Sequence, residues 1–296
     1  MRSAAAIIIN PISGGARPEQ ARRRAELASA VLTATGAEGE IFVTERKGHA
    51  RELAAGAAAR GDRLVIAWGG DGTVNEVASA LAFTKTPLGI VPSGSGNGLA
   101  RELAVSTRPE RAIVQALEGT PGAIDMGELG GRTFVSVAGV GFDAHVAACF
   151  DRDLVGKRGF SGYVRITGRE LMTYRPRSFR ISGDVIANPR RALLVTLANS
   201  AQFGNGAKVA PNARVDDGRL DLVVFEESSR AATICALPRL FTGGAGKLRS
   251  VSIRPVKQIA IECDEPITFH VDGEPVEGGT RLDARIHPRA LLVCVK

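Results

Sequence analysis

Residues 69 to 77 read Gly-Gly-Asp-Gly-Thr-Val-Asn-Glu-Val and directly follow Leu64-Val65-Ile66-Ala67-Trp68, an apolar run of the length expected of a buried strand. A strand that breaks into glycines and resumes as a helical pattern makes a turn suited to phosphate. Gly69, Gly70 and Gly72 open backbone angles closed to other residues and leave no side chain between main chain and anion. Thr73 is expected to cap the following helix, whose first-turn N–H groups and dipole would face the anion. An acid inside such a loop, Asp71, implies the handling of a metal ion or a proton.

Glycine turns also serve merely to bend a chain, and three glycines alone favour that reading. A second loop changes the balance. Leu88-Gly89-Ile90-Val91-Pro92 is another short apolar strand, followed by Ser93-Gly94-Ser95-Gly96-Asn97-Gly98 and the helical stretch Leu99-Ala100-Arg101-Glu102-Leu103. Neighbouring strands of a parallel sheet end on one edge, so both loops would open onto one crevice, where doubly wound folds bind nucleotides. Two adjacent anion cradles suggest a polyphosphate.

The first 125 residues alternate strand and helix: Ala4 to Ile9, a helix from Pro18 to Thr35, a strand at Ile41 to Val43, a helix from Ala50 to Arg60, the two loops, and a helix from Arg108 to Leu117. This pattern predicts a nucleotide-binding α/β domain over residues 1–125 with a parallel, doubly wound sheet. Beyond it, short apolar runs such as Thr133 to Val137, Ala192 to Leu197, Leu220 to Phe225, Ile267 to Val271 and Leu291 to Val295 are separated by turn residues, with helices expected at Gly162 to Tyr174 and Arg230 to Phe241. They predict a β-rich, mainly antiparallel sandwich over residues 126–280, with a tail of about 281–296 packing back on the first domain.

No apolar run approaches the roughly 18 residues of a membrane span. The opening Met1-Arg2-Ser3 and Ala4 to Ile9 reads as a first strand rather than a signal peptide, because the apolar stretch stops at Asn10-Pro11, and a cytoplasmic location is expected. Cys149, Cys235, Cys263 and Cys294 are widely spaced, and neither they nor His49, His145, His270 and His287 show ligand spacing. Free buried thiols and no zinc site are expected. The net charge of +7 calls for an acidic partner. Between Asp151 and Arg180, eight basic residues face three acids and are interleaved with Phe150, Phe160, Tyr163, Leu171, Met172, Tyr174 and Phe179. This segment suits either an anionic lipid surface or an ordinary solvated helix, and no nucleic-acid-binding module is visible.

Asn10-Pro11-Ile12-Ser13-Gly14-Gly15, the Gly69 to Glu76 loop, Pro92 to Asn97, Gly139-Val140-Gly141-Phe142-Asp143-Ala144, Asp216-Asp217-Gly218 and Val271-Asp272-Gly273-Glu274 stand in the order seen in the diacylglycerol kinase catalytic family, which the chain resembles from Asn10 to Glu274. That family includes soluble bacterial lipid kinases and sphingosine and ceramide kinases. Its first domain resembles NAD kinases and phosphofructokinases. The opening Asn-Pro-x-Ser-Gly, the Asn75-Glu76 pair and the late Asp-Gly-Glu set this chain with the lipid kinases.

The resemblance implies ATP over Gly70, Asp71, Gly72, Thr73, Val74, Asn75 and Glu76, with Asn10, Pro11, Ile12, Thr44 and Ser95 supplying further contacts. It implies a magnesium-organising or proton-accepting role for Asp71, with Glu274 preferred as the base. It assigns Asp143 to the polar head of the acceptor, and a structural Mg2+ to the side chain of Asp217 and the carbonyls of Arg214 and Arg219. A homodimer, and peripheral contact with the inner membrane face, are further expectations. Asn97 is followed by Gly98 where bacterial diacylglycerol kinases carry an acid, so the run Ser93 to Asn97 looks more like sphingosine kinases. The expected activity is ATP-dependent phosphorylation of a diacylglycerol-like or sphingoid hydroxyl; a soluble NAD kinase-like enzyme and a non-catalytic lipid or nucleotide sensor are the alternatives.

Overall fold

A computed structural model describes residues 4–15, 19–153, 160–204 and 207–295. The chain divides into two compact units, the first comprising Met1–Ile124 with Arg289–Lys296 and the second Asp125–Pro288.

The first unit alternates β1 (Ala5–Ile9), α1 (Glu19–Thr35), β2 (Gly39–Val43), α2 (His49–Arg60), β3 (Leu64–Gly69), α3 (Asp71–Leu81), β4 (Leu88–Pro92), α4 (Gly98–Glu102) and α5 (Pro109–Glu118). Strand β1 pairs in parallel with β2 and β3, and β3 in parallel with β4. Every residue of β1, β3 and β4 is buried, as a parallel sheet covered on both faces requires. Alternate residues supply the two faces. Ile7, Ile9, Ile66 and Trp68 pack with Val31 and Leu32 of α1 and Ile113 of α5, while α2 and α3 pack on each other, and Ala50, Ala54 and Ala57 of α2 are buried. The α/β, parallel-sheet reading of this part of the sequence is what the chain adopts.

The second unit contains the second half of β5 (Thr120–Leu129), then β6 (Arg132–Phe134), β7 (Val137–Gly141), α6 (Phe142–Asp153), α7 (Phe160–Leu171), β8 (Arg177–Gly183), β9 (Ala187–Ala198), β10 (Gln202–Gly204), β11 (Ala207–Lys208), β12 (Leu220–Glu226), α8 (Arg230–Phe241), β13 (Val251–Val256), β14 (Gln258–Glu262), β15 (Thr268–Val271), β16 (Glu274–Glu277) and the first part of β17 (Arg281–Val295). Its pairings are antiparallel, in the order β16-β15-β7-β9-β8-β14-β17, with β12 and β13 joined through β9. One core lies among Phe134, Val195, Leu197, Ile261, Phe269 and Leu282. A second lies between strands and helices, around Val137, Phe142, Cys149, Ile166, Leu193 and Phe225.

Two expectations are corrected. The single strand read at Thr133 to Val137 is two, because β6 ends at Phe134 and β7 begins at Val137. The gap is held by Asp272, whose carboxylate accepts the N–H groups of Val135, Ser136 and Val137 at 2.9, 2.9 and 3.0 Å. Cys149, Cys263 and Cys294 are buried free thiols, but Cys235 is exposed on α8.

Candidate functional site

In the first unit the two glycine loops touch through their main chains. A Cβ on Gly94 would stand 2.6 Å from the Gly70 Cα, and the Ser93 N–H donates to the Gly69 carbonyl at 2.9 Å. Gly14, at φ +72°, brings the loop after β1 against the same segment: a Cβ there would meet the Ser93 carbonyl oxygen. The hydroxyls of Ser13 and Ser93 lie 2.6 Å apart. Three strand ends thus meet with almost no side chain between them, beside the start of α3, an arrangement of the kind that can receive an anion.

The side chains around this cradle fix its shape. Asn10 Nδ2 donates to Thr73 Oγ1 at 2.9 Å, and a Cβ on Gly69 would collide with Thr73, so that glycine lets α3 settle against β3. This corrects the capping role expected of Thr73: Gly70 is the N-cap, with no side-chain cap bond, and Thr73 lies inside α3. Asp71 faces the second loop. Its Oδ2 accepts the Asn97 N–H at 2.8 Å and its Oδ1 the Gly98 N–H at 2.7 Å, anchoring the start of α4. Asn97, at φ 52°, braces the same turn by accepting from Gly94 N–H and donating to the Gly94 carbonyl.

Glu76 caps α2, accepting the N–H groups of Gly48 and Ala50 at 2.9 and 3.2 Å. Asn75 and Thr44 are buried, Pro11 and Gly70 half-buried, Val74 buried, and Ile12, Gly72 and Ser95 exposed. Ile12, at 60% exposure, leaves an apolar side chain on the cradle's rim. Arg24 escaped the sequence reading. From α1 it donates to the Asn10 carbonyl at 2.7 Å and to Ser13 Oγ at 2.9 Å, lies 5.9 Å from the Trp68 ring, and has its pKa lowered by burial. A basic residue on a helix otherwise rich in arginine carried no local signal of that role.

In the second unit Glu274 follows a two-residue turn, Asp272-Gly273, with φ 48° and 84°, the Asp-Gly hairpin that sets β15 against β16. It is half-buried and pairs with Val271 across the hairpin. Asp143, at the start of α6, is only 5% exposed. Its Oδ2 accepts from Thr196 Oγ1 at 2.7 Å and lies 3.3 Å from His270 Nε2, while Oδ1 accepts the Ala144 N–H. Gly273 N–H donates to His270 Nδ1 at 3.3 Å, which fixes the ring on its other side. Thr196 and His270 were not singled out as partners of Asp143, because they are joined to it only by the antiparallel register of β7, β9 and β15. Burial raises the nearby Tyr174 hydroxyl well above its ordinary pKa, and the charge of Asp143 adds to the effect.

The loop before β12 is tied down by Asp125, whose N–H donates to the Val215 carbonyl and whose Oδ2 accepts the Gly218 N–H, both at 2.6 Å. Arg214 and Arg219 are exposed, and Asp217 Oδ1 accepts the Arg219 N–H at 3.0 Å. The Asp221 carboxyl is pushed up by burial first and by Asp217 second. The exposed Asp217 carboxylate is an oxygen donor of the kind a hard divalent cation takes. Asp71 fits a metal less well, since each of its oxygens already holds an N–H.

Within the basic segment, Arg165, Arg169, Arg175 and Met172 are exposed, but Leu171 and Phe179 are buried and Tyr174 packs edge-on against Phe142. Lys157 and Arg158, and the side chains of Phe160 and Tyr163, lie outside the described residues. Among the described residues no helix is long and apolar enough to cross a membrane.

Residues 4–129 match the family described as diacylglycerol kinase catalytic domain, and residues 136–295 the family described as YegS C-terminal NAD kinase beta sandwich-like domain. The chain is 33% identical over 261 residues to a Pseudomonas aeruginosa protein named "Probable lipid kinase YegS-like", covering 87% of this chain and 85% of the relative. It is 31% identical over 277 residues to a diacylglycerol kinase of Mycobacterium tuberculosis, covering 90% and 87%. The fold superposes on the crystal structure of a diacylglycerol kinase from Bacillus anthracis with TM-score 0.75 at 20% identity, covering 99% of this chain and 97% of that one.

Proposed function

The chain belongs to the lipid kinase family built from a diacylglycerol kinase catalytic domain and a YegS-type C-terminal domain, and from that premise we propose that it transfers the terminal phosphoryl group of ATP to a hydroxyl of a diacylglycerol-like or sphingoid lipid. The observation that carries the donor half of this reading is the approach of Gly70 to Gly94, which joins two strand-end loops into one side-chain-free cradle. A single glycine turn binds one phosphate, whereas two joined turns suit a chain of them.

Phosphoryl transfer is mostly positioning and charge neutralisation, and this chain supplies the first through rigid main chain. Asp71 sets the spacing of the loops by holding the start of α4, and Asn10 and Arg24 brace the third strand end. Magnesium, when bound with the nucleotide, would neutralise phosphate charge. A separate structural ion would be held by Asp217 with the carbonyls of Arg214 and Arg219. Glu274 takes the proton from the acceptor hydroxyl. Its place beside a hairpin turn whose register is set by Asp272 and Gly273 supports that role, because a base must be held within hydrogen-bond reach of the hydroxyl. Asp143, expected to bind the lipid head, is buried with partners on both oxygens; its support for the acceptor would pass through α6 rather than through direct contact.

A lipid acceptor comes from a membrane, and the exposed Arg165 and Arg169 of α7, with Met172 and Arg175 just beyond it, support contact of this segment with an anionic lipid surface. Transfer of labelled phosphate from ATP and magnesium to diacylglycerol, sphingosine, ceramide, phosphatidylglycerol and monoacylglycerol in detergent micelles tests the proposal, with NAD as soluble control. A labelled lipid names the acceptor class. Label in NADP alone would remove the lipid reading.

A further inference from the structure

Helices α6 and α7 also bring together three residues, none of them assigned above, that are not neighbours in sequence. His145 and Cys149 stand four apart on α6 and so project from one side of that helix. Glu170, in the last turn of α7, meets them there. His145 Nε2 lies 2.8 Å from Glu170 Oε2 and 3.7 Å from Cys149 Sγ, and the three ligand atoms all lie within 4.8 Å of one another.

These separations are those of a coordination shell. Zinc bonds of about 2.0 to 2.3 Å to nitrogen, oxygen and sulfur, set at tetrahedral angles, hold the ligand atoms roughly 3.3 to 3.6 Å apart. The observed distances of 2.8 and 3.7 Å straddle that range. The thiol is buried at 2% exposure and the imidazole side chain 38% exposed, which leaves solvent an approach on the histidine side. The surrounding charges are compatible with binding. Arg169 donates to Oε1 of Glu170 at 2.8 Å and leaves Oε2 for the site, and Arg152 Nη2 lies 3.5 Å from Cys149 Sγ, where it stabilises a thiolate. The Tyr174 ring, 5.2 Å from that of His145, walls one side.

We propose that His145, Cys149 and Glu170 form a binding site for a borderline transition-metal cation of the zinc class, with one coordination position left to water or an external ligand. One nitrogen, one sulfur and one carboxylate oxygen suit zinc or cobalt and not magnesium or calcium. The site is therefore distinct from any magnesium used with nucleotide. On binding, the Cys149 S–H bond breaks and a sulfur–metal bond forms, with the proton passing to buffer. His145 Nε2, which donates to the Glu170 carboxylate without the ion, gives up its proton to become a ligand, its other nitrogen carrying the hydrogen instead. The ion ties α6 to α7. Spacing arguments expect no zinc site here because the third ligand lies 21 residues beyond the second, on another helix.

Cobalt(II) titration of the reduced, untagged protein tests this. One equivalent should give visible ligand-field bands of a tetrahedral ion and a near-ultraviolet thiolate-to-cobalt band, both displaced by zinc. Cys149→Ser should abolish the thiolate band, and His145→Gln and Glu170→Gln should each weaken binding about tenfold or more. Cys235→Ser should leave the spectrum unchanged. Circular dichroism checks that each variant is folded; should Cys149→Ser fail to fold, the two surface-side variants decide. Absence of the thiolate band in wild type, its persistence in Cys149→Ser, its loss in Cys235→Ser, or unchanged affinity in both His145→Gln and Glu170→Gln would overturn the assignment.

Discussion

Asp71 Oδ1 accepts the backbone N–H of Gly98 at 2.7 Å, so the acid of the first glycine loop anchors the helix that follows the second. Asp71→Ala would leave two donors unmet, at a cost of about 2 kcal/mol, and let the loops separate. Melting temperature and ATP affinity should fall together, with Asp71→Asn intermediate because its amide oxygen can still accept one N–H. Loss of turnover in Asp71→Asn with an unchanged melt and unchanged ATP binding would assign Asp71 to the chemistry instead.

Gly94→Ala addresses the cradle without touching any acid. Its Cβ would press on the Gly70 main chain, which has no rotamer with which to yield. ATP affinity should drop at least about tenfold, or roughly 1.4 kcal/mol. The chain's single tryptophan, Trp68, is the penultimate residue of β3, next to the first of these loops, so its fluorescence offers a titration signal.

Glu274→Gln should lower phosphoryl transfer by about 10²- to 10⁴-fold while ATP binding stays near wild type. The amide is nearly isosteric and the Asp272-Gly273 turn is unchanged, so the hairpin should hold. Turnover near wild type would remove Glu274 as the base.

Asp143→Ala should destabilise the second unit by about 2 to 3 kcal/mol in urea denaturation, because the Thr196 hydroxyl and the Ala144 N–H lose a buried acceptor. A wild-type midpoint would show that this carboxylate is not held by the core.

The pH dependence of stability should carry a mark of Glu128. Burial alone would raise its carboxyl, but hydrogen bonds from His287 and Arg285 outweigh that and hold it below its ordinary value of 4.5. A depressed folded-state pKa means stability that is present above 4.5 and is lost as pH falls through the lower, folded value. Glu128→Gln should therefore be less stable than wild type by about 1 kcal/mol at pH 7, with the gap shrinking steadily under acid titration. A gap independent of pH would exclude this cause.

What could be read beforehand was local. Strand β3, its glycines and α3 are contiguous, and their periodicities change at a glycine cluster, so the α/β class followed from a short window. The break between β6 and β7 was not legible. Nothing near Ser136 marks it, and its cause, Asp272, lies 136 residues further on. The same limit applies within the site. Asp71 and Glu76 stand in one motif and look equally suited to a ligand, yet one anchors α4 and the other caps α2, which only the packing of α2 on α3 and of one loop on the other decides. Helix α6 was missed altogether, its start disguised by a run of glycines and its polar residues spread around it.

Strand β17 leaves the second unit at Pro288 and returns to the first, where Val293 pairs with Leu88 of β4. During synthesis the edge of β4 is made some 200 residues before its partner. Until then a nascent chain carries an open, apolar parallel edge, the kind of surface that recruits foreign strands. The first unit can form its sheet early but cannot close it until the second has been translated, so truncations upstream of residue 289 should be aggregation-prone even where both glycine loops are intact.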